Sequence, residues 1–175
     1  MELFDTHCHL DFPVFDKDRK LLLEKSRENG IKNILLPGIR KEDWRVIRMH
    51  VALNNNLHAA LGLHPMFMDE HTEQHLHDLQ LALNLPPVVA VGEIGLDFYD
   101  SSIDKVKQEH FFRAQIKLAK NNNLPVILHV RKAHDEVLKH LRLSQFDEGG
   151  IVHAFNGSLP HAKKYIAKGF KLGFG

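Results

Sequence analysis

The sequence predicts an α/β fold in which helices cover a parallel β-sheet. Short runs rich in Leu, Ile and Val alternate along the chain with longer stretches whose apolar residues recur at helical spacing. The runs are apolar along nearly their whole length, which is typical of strands that are buried on both faces. At 175 residues, with 43% hydrophobic and 26% charged residues, the chain has the size and composition of one soluble globular domain.

The alternation predicts the elements in chain order. Seven strands are predicted at 3–8, 31–37, 57–63, 88–93, 126–130, 151–154 and 170–174, and six helices at 19–29, 41–54, 70–83, 104–122, 133–143 and 159–168. Gly30 and Gly169 follow predicted helix ends, where a left-handed residue commonly ends a helix. Both an open doubly wound sheet and a TIM (β/α)₈ barrel fit this order. Polar residues at C-terminal strand ends favour the barrel, because its active site gathers there from many strands.

Composition and charge indicate the cellular compartment of the protein and the kinds of partner it can bind. The single cysteine excludes an intrachain disulfide and fits a reducing compartment. The N-terminus lacks the basic start and apolar run of a signal peptide, and no apolar stretch reaches membrane-spanning length, so we expect a cytoplasmic protein without a membrane partner. Residues 1–100 carry 10 Lys/Arg and 16 Asp/Glu, whereas residues 101–175 carry 13 and 6. This asymmetry is typical of a phosphate-binding surface or of solvated helix faces.

Candidate metal ligands lie at the C-terminal ends of four predicted strands. They are His7 and His9 on the first strand, Glu93 on the fourth, His129 on the fifth and His153 on the sixth. Side chains two apart on a strand share a face, so His7 and His9 can reach one ion while Cys8 faces away as a small apolar filler. Burying the Glu93 carboxylate is costly unless it is paired or bound to metal. Imidazole and carboxylate groups suit Mg, Zn, Mn or Ni.

Other polar residues near these strand ends have two interpretations each. His64, in GLHP after the third strand, is either a contact to substrate or a loop histidine. Arg131 and Lys132 follow His129 and would lie at the barrel mouth, as phosphate contacts or as a solvated charge pair. Asp97 either orients a ligand histidine or caps the next helix.

Two further groups of rings are weaker candidates. Phe67 and Phe98 offer a stacking face for an unpaired base, but the pattern favours packing roles for both. His71, His75 and His77 lie on a predicted surface helix and are expected to be exposed polar residues.

Five motifs together resemble a known family. FDTHCHLD, GLHP, VGEIGLDFY, LPVILHVRKAHDE and VHAFNGS are similar, in order and spacing, to motifs of the TatD family of metal-dependent hydrolases, which are (β/α)₈ barrels of the amidohydrolase superfamily. The resemblance runs from residue 4 to the end and implies a deoxyribonuclease that acts on single-stranded DNA or 3′ ends. It implies up to two divalent ions per chain, with the ligands His7, His9, Glu93, His129 and His153. It further implies that Glu93 bridges the ions and that the catalytic or substrate-binding residues are Glu93, His64 and Arg131.

The resemblance leaves two other functions open. The superfamily frame supports hydrolysis of an amide, ester or lactone, and a non-catalytic metal-binding domain is the second alternative. Family barrels have an eighth strand that ends in an aspartate ligand, whereas this sequence stops after its seventh predicted strand. We therefore expect residues 1–175 to be a single domain, incomplete at the C-terminus, with little nuclease activity. We expect it to bind at most one ion tightly, at Glu93, His129 and His153.

Overall fold

The computed structural model describes residues 1–174 and has the α/β architecture that the sequence predicts. The strands are β1 (Leu3–Asp5), β2 (Ile31–Pro37), β3 (Leu57–Leu61), β4 (Val88–Asp97), β5 (Val126–Arg131), β6 (Gly150–Val152) and β7 (Phe170–Leu172). The α-helices are α1 (Arg19–Glu28), α2 (Lys41–Leu53), α3 (Glu73–Leu83), α4 (Lys105–Asn121), α5 (His134–Leu143) and α6 (Leu159–Ala167). Short 3₁₀ turns form at Pro13–Phe15 and Pro65–Phe67. No helix within residues 1–174 combines the length and the apolar character needed to cross a bilayer.

The strand order decides between the two architectures. The seven described strands form one sheet in the order β1-β2-β3-β4-β5-β6-β7, and every neighbouring pair is parallel. A doubly wound sheet reverses its order at a switch point, whereas a (β/α)₈ barrel keeps chain order throughout. The described strands therefore form a curled half-barrel of the TIM type, which confirms the predicted fold class.

Apolar side chains fill both faces of the sheet. The main core lies between the helices and the sheet, and Ile47, Leu61, Phe112 and Val137 are among its fully buried members. A smaller cluster is formed by Leu35, Ala60, Ala90 and Ile127. Strands that bury both faces need nearly continuous apolar sequences, and this explains why the strands were recognisable from composition.

Two strands differ from their predicted bounds in ways that matter for the site. β1 ends at Asp5, whose carboxylate accepts a hydrogen bond from the His7 backbone N–H (3.1 Å), so His7 lies after the strand. β4 continues four residues beyond Glu93 because its last residues pair with β5, up to Asp97 opposite Arg131. Glu93 is therefore inside a strand. Gly30 and Gly169 have φ of +89° and +80°, as predicted for residues that end helices.

Candidate metal centre

The centre is built around one buried carboxylate, that of Glu93, which is 3% exposed. The strands approach closely here because glycines replace side chains. A Cβ on Gly95, where φ is +152°, would lie 1.8 Å from the His129 carbonyl oxygen. A Cβ on Gly62 would lie 2.8 Å from the Glu93 carbonyl oxygen. The VGEIG motif thus inserts a carboxylate where neighbouring backbones are in contact.

Four imidazoles surround this carboxylate, two on each oxygen. Oε2 lies 3.3 Å from His7 Nε2 and 3.7 Å from His9 Nε2. Oε1 lies 3.3 Å from His129 Nδ1 and 3.4 Å from His64 Nε2. The two pairs are called below the His7/His9 half and the His64/His129 half. Each half, together with Glu93, brings three ligand atoms within reach of one ion.

His153 completes the group of sequence-predicted ligands. It follows β6, and its ring stacks on His7 with a centroid distance of 3.5 Å and an interplanar angle of 12°. The structure thus brings all five predicted ligand residues together. His64, predicted as a contact to substrate, lies as close to Glu93 as the predicted ligands do. His153, expected to form the tight site with Glu93 and His129, has its ring stacked on His7.

The residues present fit a divalent cation. The Nε2 atoms of His7 and His9 lie 3.2 Å apart and face the same carboxylate oxygen. Two imidazole lone pairs at that distance repel each other unless a proton or a cation lies between them. The buried Nδ1 atoms of both rings also have no hydrogen-bond partner among residues 1–174. A donor set of imidazole nitrogens and carboxylate oxygens suits Zn, Mn or Ni, and oxygen donors suit Mg.

His129 is oriented by a second carboxylate. Its Nε2 donates to Asp97 Oδ2 (2.9 Å), which leaves Nδ1 to face Glu93. Asp97 Oδ1 accepts in turn from the Tyr99 backbone N–H (2.9 Å). Hydrogen bonding of the far ring nitrogen to a carboxylate fixes the tautomer and raises the basicity of a metal-ligating histidine. Of the two interpretations of Asp97, the geometry matches the orienting role.

Two buried glutamines on α4 hold the backbone of the His64/His129 half, and sequence reasoning missed both. Gln108 accepts from the Asp97 N–H (2.8 Å) and donates to its carbonyl oxygen (2.9 Å). Gln115 does the same for Leu63, at 2.8 and 3.2 Å. Both glutamines are 0% exposed. Each side-chain amide therefore forms the two hydrogen bonds that a neighbouring strand would form. Gln115 does so at Leu63, directly before His64, and Gln108 does so at Asp97.

The segment after His64 corrects one prediction. His71 is 2% exposed, and its Nε2 donates to the His64 carbonyl oxygen (3.0 Å), so its prediction as an exposed helix residue was wrong. The reason is that residues 65–67 form a 3₁₀ turn and α3 begins only at Glu73, which folds His71 beneath His64. His75 is half-buried and His77 is exposed. His64 also caps the turn, because its Nδ1 accepts from the Met66 N–H (3.1 Å).

Burial and charge set the protonation states of the centre. Burial raises the pKa of the Glu93 carboxyl, but hydrogen bonds from the four imidazoles outweigh it and hold the pKa well below its usual range. Burial lowers the pKa of His129, yet the carboxylates of Glu93 and Asp97 raise it above its usual value. Burial and then the His7 charge lower the pKa of His153 to about 4. Metal ligation requires an ionised carboxylate and unprotonated imidazoles. The shifts of Glu93 and His153 favour this state, whereas His129 has to release its proton when an ion binds.

Cys8 has no role in the centre. It is half-buried and packs against the main core. Burial, and then the nearby Asp5 charge, raise the pKa of its thiol. A neutral thiol is a poor metal ligand, so the geometry agrees with the predicted role as an apolar filler.

The mouth of the site holds the remaining candidates. Arg131 is exposed, and its guanidinium carbon lies 3.5 Å from the centroid of the Tyr99 ring, a residue that sequence reasoning missed. Lys132 Nζ lies 4.7 Å from the same centroid. Phe98 is half-buried and packs against the main core. Phe67 is half-buried beside His64, with a ring-centroid distance of 5.9 Å.

Known proteins share this sequence and this fold. Residues 4–175 match the family described as TatD related DNase. The chain is 40% identical over 173 residues to the metal-dependent hydrolase YjjV of Escherichia coli K12, covering 98% of this chain and 67% of that protein. The crystal structure of YjjV superimposes with a TM-score of 0.92 at 39% identity, over 97% of this chain and 66% of that one.

A further relative carries a specific activity in its name. The 3′-5′ ssDNA/RNA exonuclease TatD of Erwinia amylovora is 30% identical over 174 residues, which are 98% of this chain and 67% of that protein. The chain thus spans about two thirds of the length of these relatives. Together with the half-barrel and the histidine-rich carboxylate centre, these likenesses establish that the chain belongs to the TatD family of metal-dependent hydrolases.

Proposed function

We propose that the protein is a deoxyribonuclease that cleaves phosphodiester bonds of single-stranded DNA from the 3′ end. The observation that carries the proposal is the division of the Glu93 oxygens, one facing His7 and His9 and the other facing His64 and His129. A carboxylate placed in this way can serve two ions at once, which is the arrangement of many phosphodiester-cleaving enzymes. The exonuclease name of the Erwinia relative supports the choice of substrate.

The residues take the following roles in this proposal. The metal ligands are His7, His9, Glu93, His129 and His153. Bound divalent ions would supply an activated water and neutralise charge on the phosphate and the leaving oxygen. His64, whose Nε2 lies beside Glu93 Oε1, contacts the scissile phosphate or the leaving group. Arg131 contacts a phosphate of the DNA strand at the mouth of the site.

Asp97 holds the ligand geometry steady during the reaction. Since His129 donates to Asp97 through Nε2, its ring cannot rotate away from Glu93 without breaking a charge-assisted hydrogen bond. Gln108 holds the main chain at Asp97, because it hydrogen-bonds to both the N–H and the carbonyl oxygen of that residue. Catalytic groups that are held in this way lose less orientation entropy when the substrate binds.

A comparison of substrates tests the proposal. Single-stranded oligonucleotides labelled at either end, and a set of amide, ester and lactone substrates, would be incubated with the chain and added Mg²⁺, Mn²⁺, Zn²⁺ or Ni²⁺. We expect slow, metal-dependent shortening from the 3′ end, because the sequence predicts little nuclease activity for residues 1–175. This activity should be lost in Glu93→Gln and kept in His77→Ala, which removes an exposed histidine of α3. Hydrolysis of the acyl substrates alone would contradict the proposal. Metal binding without any hydrolysis would instead make the chain a non-catalytic metal-binding domain.

A further inference from the structure

An exposed aromatic ring with two cations stands beside the proposed active site. Tyr99 lies two residues beyond the end of β4 and is 55% exposed, although a large aromatic side chain is usually mostly buried. The guanidinium carbon of Arg131 lies 3.5 Å from its ring centroid and Lys132 Nζ lies 4.7 Å away. Both are within the range of cation–π attraction, so the ring gathers two positive charges at one point of the surface.

The backbone fixes this arrangement. The Phe98 N–H donates to the Arg131 carbonyl oxygen (2.9 Å), and the Tyr99 N–H donates to the Asp97 carboxylate (2.9 Å). Lys132 has a φ of +51°, a left-handed conformation that is uncommon for a residue with a side chain. The chain turns sharply at this point, directly after β5 ends at Arg131, and both cations remain against the ring.

The two cations have no acidic partner in the part of the chain that the structure describes. The lysine and arginine ion pairs found within residues 1–174 all involve other cations, those of Arg19, Arg40, Lys41, Lys139 and Lys168. Two adjacent positive charges repel each other, and an anion between them removes that repulsion. A planar guanidinium stacked on a ring keeps its N–H edge free, and this edge matches two oxygens of a phosphate.

The position relative to the metal centre follows from strand register. In the β4–β5 pair, Gly95 lies opposite His129 and Asp97 lies opposite Arg131. Side chains two apart on a strand share a face, so Arg131 stands on the same side of β5 as His129, about 7 Å further toward the strand end. The two cations therefore lie one step beyond the His64/His129 half, on the route of a strand that leaves the centre.

We infer that Tyr99, Arg131 and Lys132 form a subsite for the phosphate that neighbours the scissile one, and that Tyr99 is a positioning residue that holds Arg131 flat. The inference rests on the proposed phosphodiesterase function and adds to it the residues that bind a second phosphate of the strand. A chain with at least two consecutive phosphates uses this subsite, whereas an isolated phosphodiester does not. The protein therefore prefers oligonucleotides over simple phosphate diesters.

Two substrates distinguish the subsite from the metal centre. The first is a short single-stranded oligonucleotide, whose binding is followed by fluorescence anisotropy and whose cleavage gives kcat and KM. The second is bis(p-nitrophenyl) phosphate, which has one phosphodiester and no neighbour. The variants are Arg131→Met, Tyr99→Leu and Tyr99→Phe, with Arg113→Met as a matched loss of one exposed arginine on α4.

We expect Arg131→Met and Tyr99→Leu to raise the oligonucleotide Kd and KM about tenfold with little change in kcat, and to leave the simple diester unaffected. Tyr99→Phe keeps the ring and should restore parental values, and Arg113→Met should match the parent. Unchanged oligonucleotide KM in both disruptive variants would overturn the subsite and leave the proposed function standing. Equal losses on both substrates would also overturn it. If the parent cleaves neither substrate, the proposed function fails and the subsite fails with it.

Discussion

The two halves of the Glu93 centre are built differently. In the His64/His129 half, Asp97 orients His129, and His71 donates to the His64 carbonyl oxygen. Glutamines of α4 hydrogen-bond to the main chain at Asp97 and at Leu63, directly before His64. In the His7/His9 half, the side-chain Nδ1 atoms have no hydrogen-bond partner among the described residues. His9 is supported instead by stacking on Phe12, with centroids 4.8 Å apart. One half is preorganised by hydrogen bonds, and the other relies on ring packing.

The hydrogen bonds behind His129 indicate which side of the centre binds its ion more tightly. Hydrogen bonds behind a ligand keep it in place before the ion arrives, and their loss typically costs 10- to 100-fold in metal affinity. Ring stacking restrains the plane of an imidazole but leaves its protonation state and rotation less defined. We therefore expect the ion held by Glu93 and His129 to be bound more tightly than the ion held by Glu93, His7 and His9. This agrees with the expectation of a single tight ion and assigns it to the side that contains His129.

The largest effect is expected where the halves meet. Glu93→Ala removes the carboxylate that serves both, so metal binding and nuclease activity should fall below detection. His64→Ala removes one contact and should lower activity about a hundredfold. Metal content of the purified variants and oligonucleotide cleavage at saturating Mn²⁺ measure both effects. Equal residual activity in the two variants would contradict the bridging role of Glu93.

A smaller effect is expected from the carboxylate behind His129. Asp97→Asn weakens the hold on the ring and should reduce affinity for the tighter ion about 10- to 100-fold, without change at the weaker one. Equilibrium dialysis against Zn²⁺ measures both affinities. Asp100→Asn, an exposed aspartate three residues later, is the matched control and should bind like the parent. Loss of the weaker ion alone in Asp97→Asn would reverse the comparison.

The contribution of the α4 glutamines can be tested by measuring the free energy of unfolding. Gln115→Met keeps the length of the side chain but leaves the Leu63 N–H and carbonyl buried without their partner, which should lower the free energy of unfolding by about 2 kcal/mol. Gln80→Met, on an exposed face of α3, should cost only a few tenths. Urea unfolding of both variants gives the comparison. Equal losses would mean that the Gln115 hydrogen bonds carry no special weight.

The last effect concerns the pH dependence of stability. Burial, with smaller contributions from the His75 and Lys107 charges, lowers the pKa of His71 from 6.5 to about 4 despite its bond to the His64 carbonyl. Since the unfolded chain takes up this proton first, stability should fall as the pH drops from 6.5 to about 4, by at most about 3 kcal/mol from this group. His71→Gln keeps a donor for the His64 carbonyl but does not titrate. The free energy of unfolding, measured across this interval, should therefore change less in the variant. The same slope in both proteins would contradict the assignment.

The sequence predicts the strands and the polar residues that follow them, because both depend on local patterns. Continuous apolar runs identify buried parallel strands. His7 and His9 stand out because two histidines two positions apart beside a strand end can reach the same ion. The polar residues at the strand ends favoured the barrel over a doubly wound sheet, and the strand order of the folded chain confirms the barrel. The sequence does not predict the extension of β4 to Asp97, because this extension depends on pairing with β5.

The supporting residues were missed for a physical reason. Gln108 and Gln115 lie seven apart on α4 and share its buried face with Phe111 and Ile116. In sequence they look like ordinary surface amides, although a polar residue within an apolar helical stripe must find a buried partner. That signal could have found them. The burial of His71 and the position of Tyr99 depend on turns whose geometry the helical and strand periods do not define.

Calorimetric titration of the metal-stripped chain with Zn²⁺ tests the central claim, that one carboxylate serves two unequally supported halves. We expect two binding events of different affinity in the parent protein. In His9→Ala the weaker event should disappear while the tighter one stays within a few-fold of its parental affinity. Two events of equal affinity, or loss of the tighter event in His9→Ala, would show that the two halves are not unequally supported.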